Sequence, residues 1–305
     1  MPDRPDTSNS PDTSNSREIL ERLSKLDVRQ HGGQHGIKTV TRQPRLRRSA
    51  ETARPWSLAD VVVIALTLLV AGVISSLIIG NRLTNLLPEV GVVGVRIALL
   101  VLFYAIELGV LALLAYRRRL PFVAAFRLRR LTDDEREEIE QAQPTKRKAH
   151  SARPLGTAKA VVAVVLISIL LRLAALGWTV LAASYLNWPA PQAESMPYLF
   201  GSTTGGAIAA VLIVAILGPF IEELAFRVII QEWFVARLVI PLAVIVTSAI
   251  FAASHISLWA APLYVILGFV TAWLAYKCKT IWPAVALHAI YNATAVLAAF
   301  YLLPK

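Results

Sequence analysis

The stretch that decides how this chain folds is Ala215 to Ile230, AILGPFIEELAFRVII. Apart from Glu222, Glu223 and Arg227 its side chains are apolar, and it lies inside a longer apolar run, about 206 to 230. A run of roughly 20 such residues is what an α-helix needs to cross the hydrocarbon core of a bilayer. Ionisable groups inside such a run cost several kcal/mol each by insertion scales, so each needs a partner, a wet cavity or a chemical task. Neighbours on a helix diverge by about 100°, so Glu222 and Glu223 face differently, whereas Glu223 and Arg227 are i, i+4 and can pair. Glu222 is thereby left free for chemistry.

Outward from that stretch, the chain repeats the same kind of span. Of its 305 residues 56% are hydrophobic and 17% charged, and the mean hydropathy is +0.57, against about a quarter charged in a soluble domain. These values imply an all-α, polytopic transmembrane bundle of about seven or eight spans, with helices expected near 58–80, 92–116, 160–186, 206–230, 239–255, 262–276 and 281–302. Residues 1–54 open with a tandem PDTSNS repeat and carry 11 basic against 7 acidic side chains, which reads as a disordered basic cytoplasmic tail. Within it, Arg17 to Arg29 spaces apolar residues at helical intervals and could lie on an anionic surface. No apolar run precedes residue 58, which speaks against a cleavable signal peptide. Residues 55–199 hold the N-terminal transmembrane helices and a loop, 117–159, with 12 Lys and Arg, whereas 187–205 has none. The positive-inside rule puts the tail and that loop in the cytoplasm, and the acidic run Asp133 to Glu140 reads as a short solvated helix.

The net charge of +11 is concentrated in flanks and loops, where it fixes orientation and attracts anionic lipid, so a bilayer rather than nucleic acid is the expected partner. A single cysteine, Cys278, builds neither a disulfide nor a cysteine-rich metal site and reads as a small residue at a helix end. In the early spans, Glu107 and Arg172 are expected to pair with each other, while Asp60 and Arg96 lie near enough to span ends to reach headgroups.

The C-terminal third carries the chemistry. Phe251 and His255 are i, i+4 in one span, and His288 and Asn292 are i, i+4 in the last. A carboxylate, two imidazoles and a carboxamide on separate spans are the parts needed to activate water and to stabilise an oxyanion. No His-Glu-x-x-His zinc helix, Gly-x-Ser-x-Gly elbow or phosphate loop is present. Ser254 beside His255 is a poor nucleophile candidate, because adjacent helical residues diverge.

Glu222-Glu223-x-x-x-Arg227, Phe251-x-x-x-His255 and His288-x-x-x-Asn292, in this order and spacing, resemble the signature of the CAAX protease and bacteriocin-processing family, also called Abi, which includes the type II CAAX prenyl endopeptidases. The resemblance covers about residues 200–300, so 200–305 is expected to be the intramembrane protease core. It implies that Glu222 and His255 activate the attacking water, that His288 and Asn292 form the oxyanion site, and that Glu223, Arg227 and Phe251 support them. It also implies a peptide or protein substrate and a multi-pass protein of a bacterial plasma membrane. Two cofactor readings stand side by side: zinc held by Glu222, His255 and His288, or no metal, with the glutamate and histidine acting alone.

Helix arithmetic sets a condition on this site. At 1.5 Å per residue His255 lies about 24 Å into its span and His288 about 10 Å into the last. The two can meet if spans five and six join in a turn at His255 to Pro262 buried in protein, with tilt or an interfacial start for residues 231 to 241 making up the rest. A non-proteolytic membrane scaffold or immunity protein is the alternative function. A proton-relay transporter ranks below both, since no broken spans repeat between halves.

Overall fold

The computed structural model describes residues 56–79, 91–117, 122–128, 154–188 and 196–302. The tail repeat, the Arg17 to Arg29 segment and the acidic run at 133–140 lie outside them. Every regular element among the described residues is helical: α1 (Leu58–Ile79), α2 (Val92–Arg117), a helical turn α3 (Phe122–Ala125), α4 (Thr157–Tyr185), α5 (Met196–Phe200), α6 (Thr204–Val235), α7 (Ile240–Ser254), α8 (Ala261–Cys278) and α9 (Trp282–Tyr301). α2, α4, α6, α8 and α9 are long and apolar enough to cross a membrane, while α7 and the apolar stretch Leu58–Val70 of α1 are shorter. The chain is a multi-pass membrane protein. Its outward apolar side chains, such as Leu66, Leu102, Leu166 and Leu170, fit a lipid-facing perimeter that water would not tolerate as one continuous patch.

Local chemistry explains the helix ends. Ser57 and Asp60 cap α1 reciprocally: the Ser57 N–H donates to Asp60 Oδ2 at 2.9 Å and the Asp60 N–H to Ser57 Oγ at 3.2 Å, a capping box. Asp60 is therefore a cap. The turn after α3 is a junction, because Phe126 stacks on Trp56, Arg127 pairs with Glu232 at 2.5 Å, and the Leu128 carbonyl accepts from Trp282 Nε1 at 2.8 Å. α7 ends at Ser254 and α8 begins at Ala261, so a turn stands at His255 to Pro262 as expected, but it is not buried in protein: Ile256 and Leu258 are exposed and only Ala260 is buried. His255 comes directly after α7, and the next residue, Ile256, takes φ +50°, a conformation unfavourable for a β-branched residue.

α7 and α8 approach most closely where α8 has no side chain. A Cβ on Gly268 would lie 3.1 Å from Phe251 Cδ1 and 3.2 Å from Ser248 Cα, the small-residue contact by which membrane helices pack without a hydrophobic drive. Phe251 and Leu267 join Phe226, Leu274 and Leu287 in the central core. Cys278 closes α8 as a buried small residue.

Two charged residues depart from expectation. Arg172 does not pair with Glu107; its Nη2 donates to the Tyr291 carbonyl and its guanidinium stacks on the Tyr291 ring. The long arginine reaches across to α9, whereas both Glu107 oxygens face inward with no hydrogen-bond partner among the described residues. Arg96 does not reach the headgroups either. It is buried, donating from Nη1 to the Tyr198 carbonyl at 2.7 Å and stacking on that ring.

Candidate active site

α6 is not a uniform α-helix. Val211–Leu217 and Leu224–Ile230 are wound as π-helix, flanking the α-helical Gly218–Glu223 that carries both glutamates. Pro219 explains the first of these segments. Proline has no N–H to give, and the Gly218 N–H reaches back to the Ile213 carbonyl, so neither residue serves the carbonyl of Val214. Asn292 does so instead, donating from Nδ2 at 2.9 Å. π-bulges recur at functional sites because they re-aim side chains and free backbone groups.

Glu223 and Arg227 pair within α6 as the i, i+4 spacing predicts, with Arg227 Nε 2.6 Å from Glu223 Oε2 and side chains 1% and 0% exposed. The pair belongs to a longer chain of bonds. Arg227 Nη2 donates to Thr271 Oγ1 at 2.8 Å, and Glu223 Oε1 faces His288 Nδ1 at 3.0 Å. A carboxylate accepts, so Nδ1 of His288 carries a proton and Nε2 points onward into the site.

His255 is oriented in the same way by different means. Its Nδ1 lies 2.8 Å from the Phe251 carbonyl, which can only accept, so Nε2 is again the atom presented. Phe251 packs against both imidazoles, at 4.7 Å from His255 and 5.6 Å from His288. Tyr264 stacks on His255 at 4.0 Å. Ser254 Oγ donates to the Phe251 carbonyl at 2.8 Å, which occupies the hydroxyl in capping the helix end.

Glu222 completes the cluster. Its Oε2 lies 3.7 Å from His255 Nε2 and 3.9 Å from His288 Nε2, and it is buried without a hydrogen-bond partner among the described residues. These separations are too long for direct hydrogen bonds, but one water at about 2.8 Å could bridge the carboxylate to either imidazole. They are also wider than the roughly 3.3 Å between ligand atoms of a tetrahedral zinc with bonds near 2.0 Å. No set of three His, Cys, Asp or Glu among the described residues is grouped to hold a metal ion. Zinc does not fit the trio as it stands.

The structure thus gathers Glu222, Glu223, Arg227, Phe251, His255 and His288, and places Asn292 one turn beyond His288 with its amide engaged by Val214. Sequence reasoning missed Tyr264 and Thr271, although both are polar residues in an apolar span and lie seven apart, on one face of α8. It also missed the orphaned Val214 carbonyl, which Pro219 signals.

Comparison with known families matches residues 204–294 to the family described as type II CAAX prenyl endopeptidase Rce1-like. No curated protein and no solved structure matches the chain.

Proposed function

We propose that this chain, which is similar to the type II CAAX prenyl endopeptidases over residues 204–294, is an intramembrane endopeptidase that hydrolyses a peptide bond with water activated by Glu222 and His255. The observation that carries the reading is the Glu222 carboxylate set between two imidazole Nε2 atoms at water-bridging distance, in a site walled by aromatic rings. A water bonded to Glu222 and His255 loses a proton to the carboxylate as its oxygen attacks the carbonyl carbon. The same proton then passes to the leaving amine as the C–N bond breaks.

The oxyanion that forms in between needs donors aimed at it. His288 donates from Nε2 when its ring carries both protons, and Glu223 at Nδ1 is the counter-charge for that state. Asn292 has a second amide hydrogen besides the one given to Val214. Glu223, Arg227 and Thr271 hold His288 in place, and Phe251 and Tyr264 hold His255. The substrate enters from the cytoplasmic side, where the basic tail and the 117–159 loop lie by the positive-inside rule.

Glu222→Gln tests the base. It keeps volume and polarity and breaks no hydrogen bond at Oε2, so folded protein should accumulate normally while turnover falls about 100-fold or more. A variant retaining over about a tenth of the wild-type rate in detergent sinks the general-base role. Peptides that accumulate in membranes bearing Glu222→Ala identify the substrate class, prenylated or not.

A further inference from the structure

Two polar side chains of α2 take no part in the roles above. Tyr104 and Glu107 are three residues apart and share a face of the helix. α2 and α6 run in the same direction side by side: Gly201, just before α6, lies against Val93, and further along Gly218 lies against the Tyr104 hydroxyl. A Cβ on Gly218 would come within 2.6 Å of that oxygen, so the phenol occupies space that only glycine leaves open. One turn further along both helices come Glu107 and Glu222, which lie within electrostatic reach of each other and of Tyr104.

Glu107 is 3% exposed. Neither of its carboxyl oxygens has a hydrogen-bond partner among the described residues, and neither has Glu222 Oε2 across the interface. Arg172, the obvious counter-ion by sequence, is engaged at Tyr291. Buried carboxyl oxygens are satisfied by protein donors or by ordered water, and a polar recess with several such acceptors and a hydroxyl is the setting in which water is retained.

We propose that Tyr104 and Glu107 of α2, facing Glu222 of α6, enclose a water site that keeps the hydrolytic water beside the catalytic carboxylate. Both are positioning residues, acting through the water they hold. After the held water has lost its proton to Glu222 and its oxygen has joined the carbonyl carbon, a second water from the recess takes its place. The catalytic consequence rests on the peptidase reading, whereas the water site itself does not.

The test uses the full chain in detergent and two substitutions. Glu107→Leu removes the acceptors at similar size and should lower kcat about tenfold or more, the worth of one lost hydrogen bond to the attacking group, with KM within about twofold. Glu107→Gln still binds water and should stay within about threefold of wild type. Glu107→Leu with unchanged kcat, or Glu107→Gln as impaired as Glu107→Leu, overturns the proposal. A second readout is independent of proteolysis and of whether Glu107→Leu folds. Hydroxyl radicals produced by radiolysis of bound water should label buried Tyr104 in the wild type and in Glu107→Gln, as read by mass spectrometry. Absence of that label in the wild type refutes the water site; its presence with a fully active Glu222→Gln leaves the water site standing and removes the peptidase mechanism.

Discussion

Arg227→Ala is the sharpest test of how the site is held. Arg227 and Glu223 are 1% and 0% exposed, and the arginine bonds Glu223 Oε2 at 2.6 Å and Thr271 Oγ1 at 2.8 Å. Truncation leaves the Glu223 carboxylate with His288 Nδ1 at 3.0 Å as its remaining described partner. Breaking a buried pair from one side typically costs about 3–5 kcal/mol, because the remaining charge stays desolvated. At about 1.5–2 °C per kcal/mol for a chain of this length, the melting temperature should fall by roughly 5–10 °C. The 7 tryptophans of the chain make intrinsic fluorescence a practical probe of melting in detergent. Removing the stranded charge as well, in Arg227→Ala with Glu223→Gln, should recover part of the loss, a coupling that a double-mutant cycle measures. Arg227→Lys should fall between, since a lysine keeps the charge but not the two-point geometry. If Arg227→Ala melts within about 2 °C of wild type and is nevertheless inactive, the reasoning fails and Arg227 belongs with groups that touch substrate.

Gly268→Ala should destabilise by about 1–3 kcal/mol through overpacking against Phe251 and Ser248, and it should also lower turnover, because Phe251 is the ring on which both histidines rest. Asn292→Ala should do two separable things: orphan the Val214 carbonyl, at about 1–3 kcal/mol of stability by thermal melt, and lower kcat about 100-fold to 1000-fold if the second amide hydrogen serves the oxyanion. A variant that melts early but keeps its kcat would make Asn292 a helix lock only.

Much of this architecture is legible in the sequence, and the reason is the length of its apolar runs. Apolar runs locate α1, α2, α4, α6, α7, α8 and α9 to within a few residues, those of α1 and α7 being shorter than a crossing needs, because lipid forces every backbone group to be satisfied inside its own helix. The Glu223–Arg227 pair is legible for a related reason, being local to one helix. The expected Glu107–Arg172 pair fails because partner choice across helices depends on rotation and tilt, which hydropathy does not encode. Arg172 finds a carbonyl on α9, while Glu107 stays buried with neither oxygen hydrogen-bonded among the described residues. Arg96 likewise finds a carbonyl and a ring in the protein where position along the span alone suggests headgroups.

The two π segments of α6 tie this lesson to the chemistry. Each adds a residue to a turn, so it rotates the downstream part of α6 relative to an ideal helix, and the face on which Glu222 emerges cannot be read from 3.6-residue arithmetic alone. Pro219 helps to open the first, leaving one carbonyl without a partner in its own helix, and Asn292 from α9 closes that gap. The bond that repairs the helix also fixes α9 against α6, and His288 stands one turn from Asn292 on that same α9. The distance of 3.9 Å between His288 and Glu222 is therefore tied partly to Pro219. Restoring the missing donor with Pro219→Ala should loosen that constraint without altering a single group that meets the substrate, so kcat should fall while the melting temperature holds or rises. A Pro219→Ala variant with wild-type kcat would show that the Asn292 bond to Val214 does not govern the spacing of His288 and Glu222.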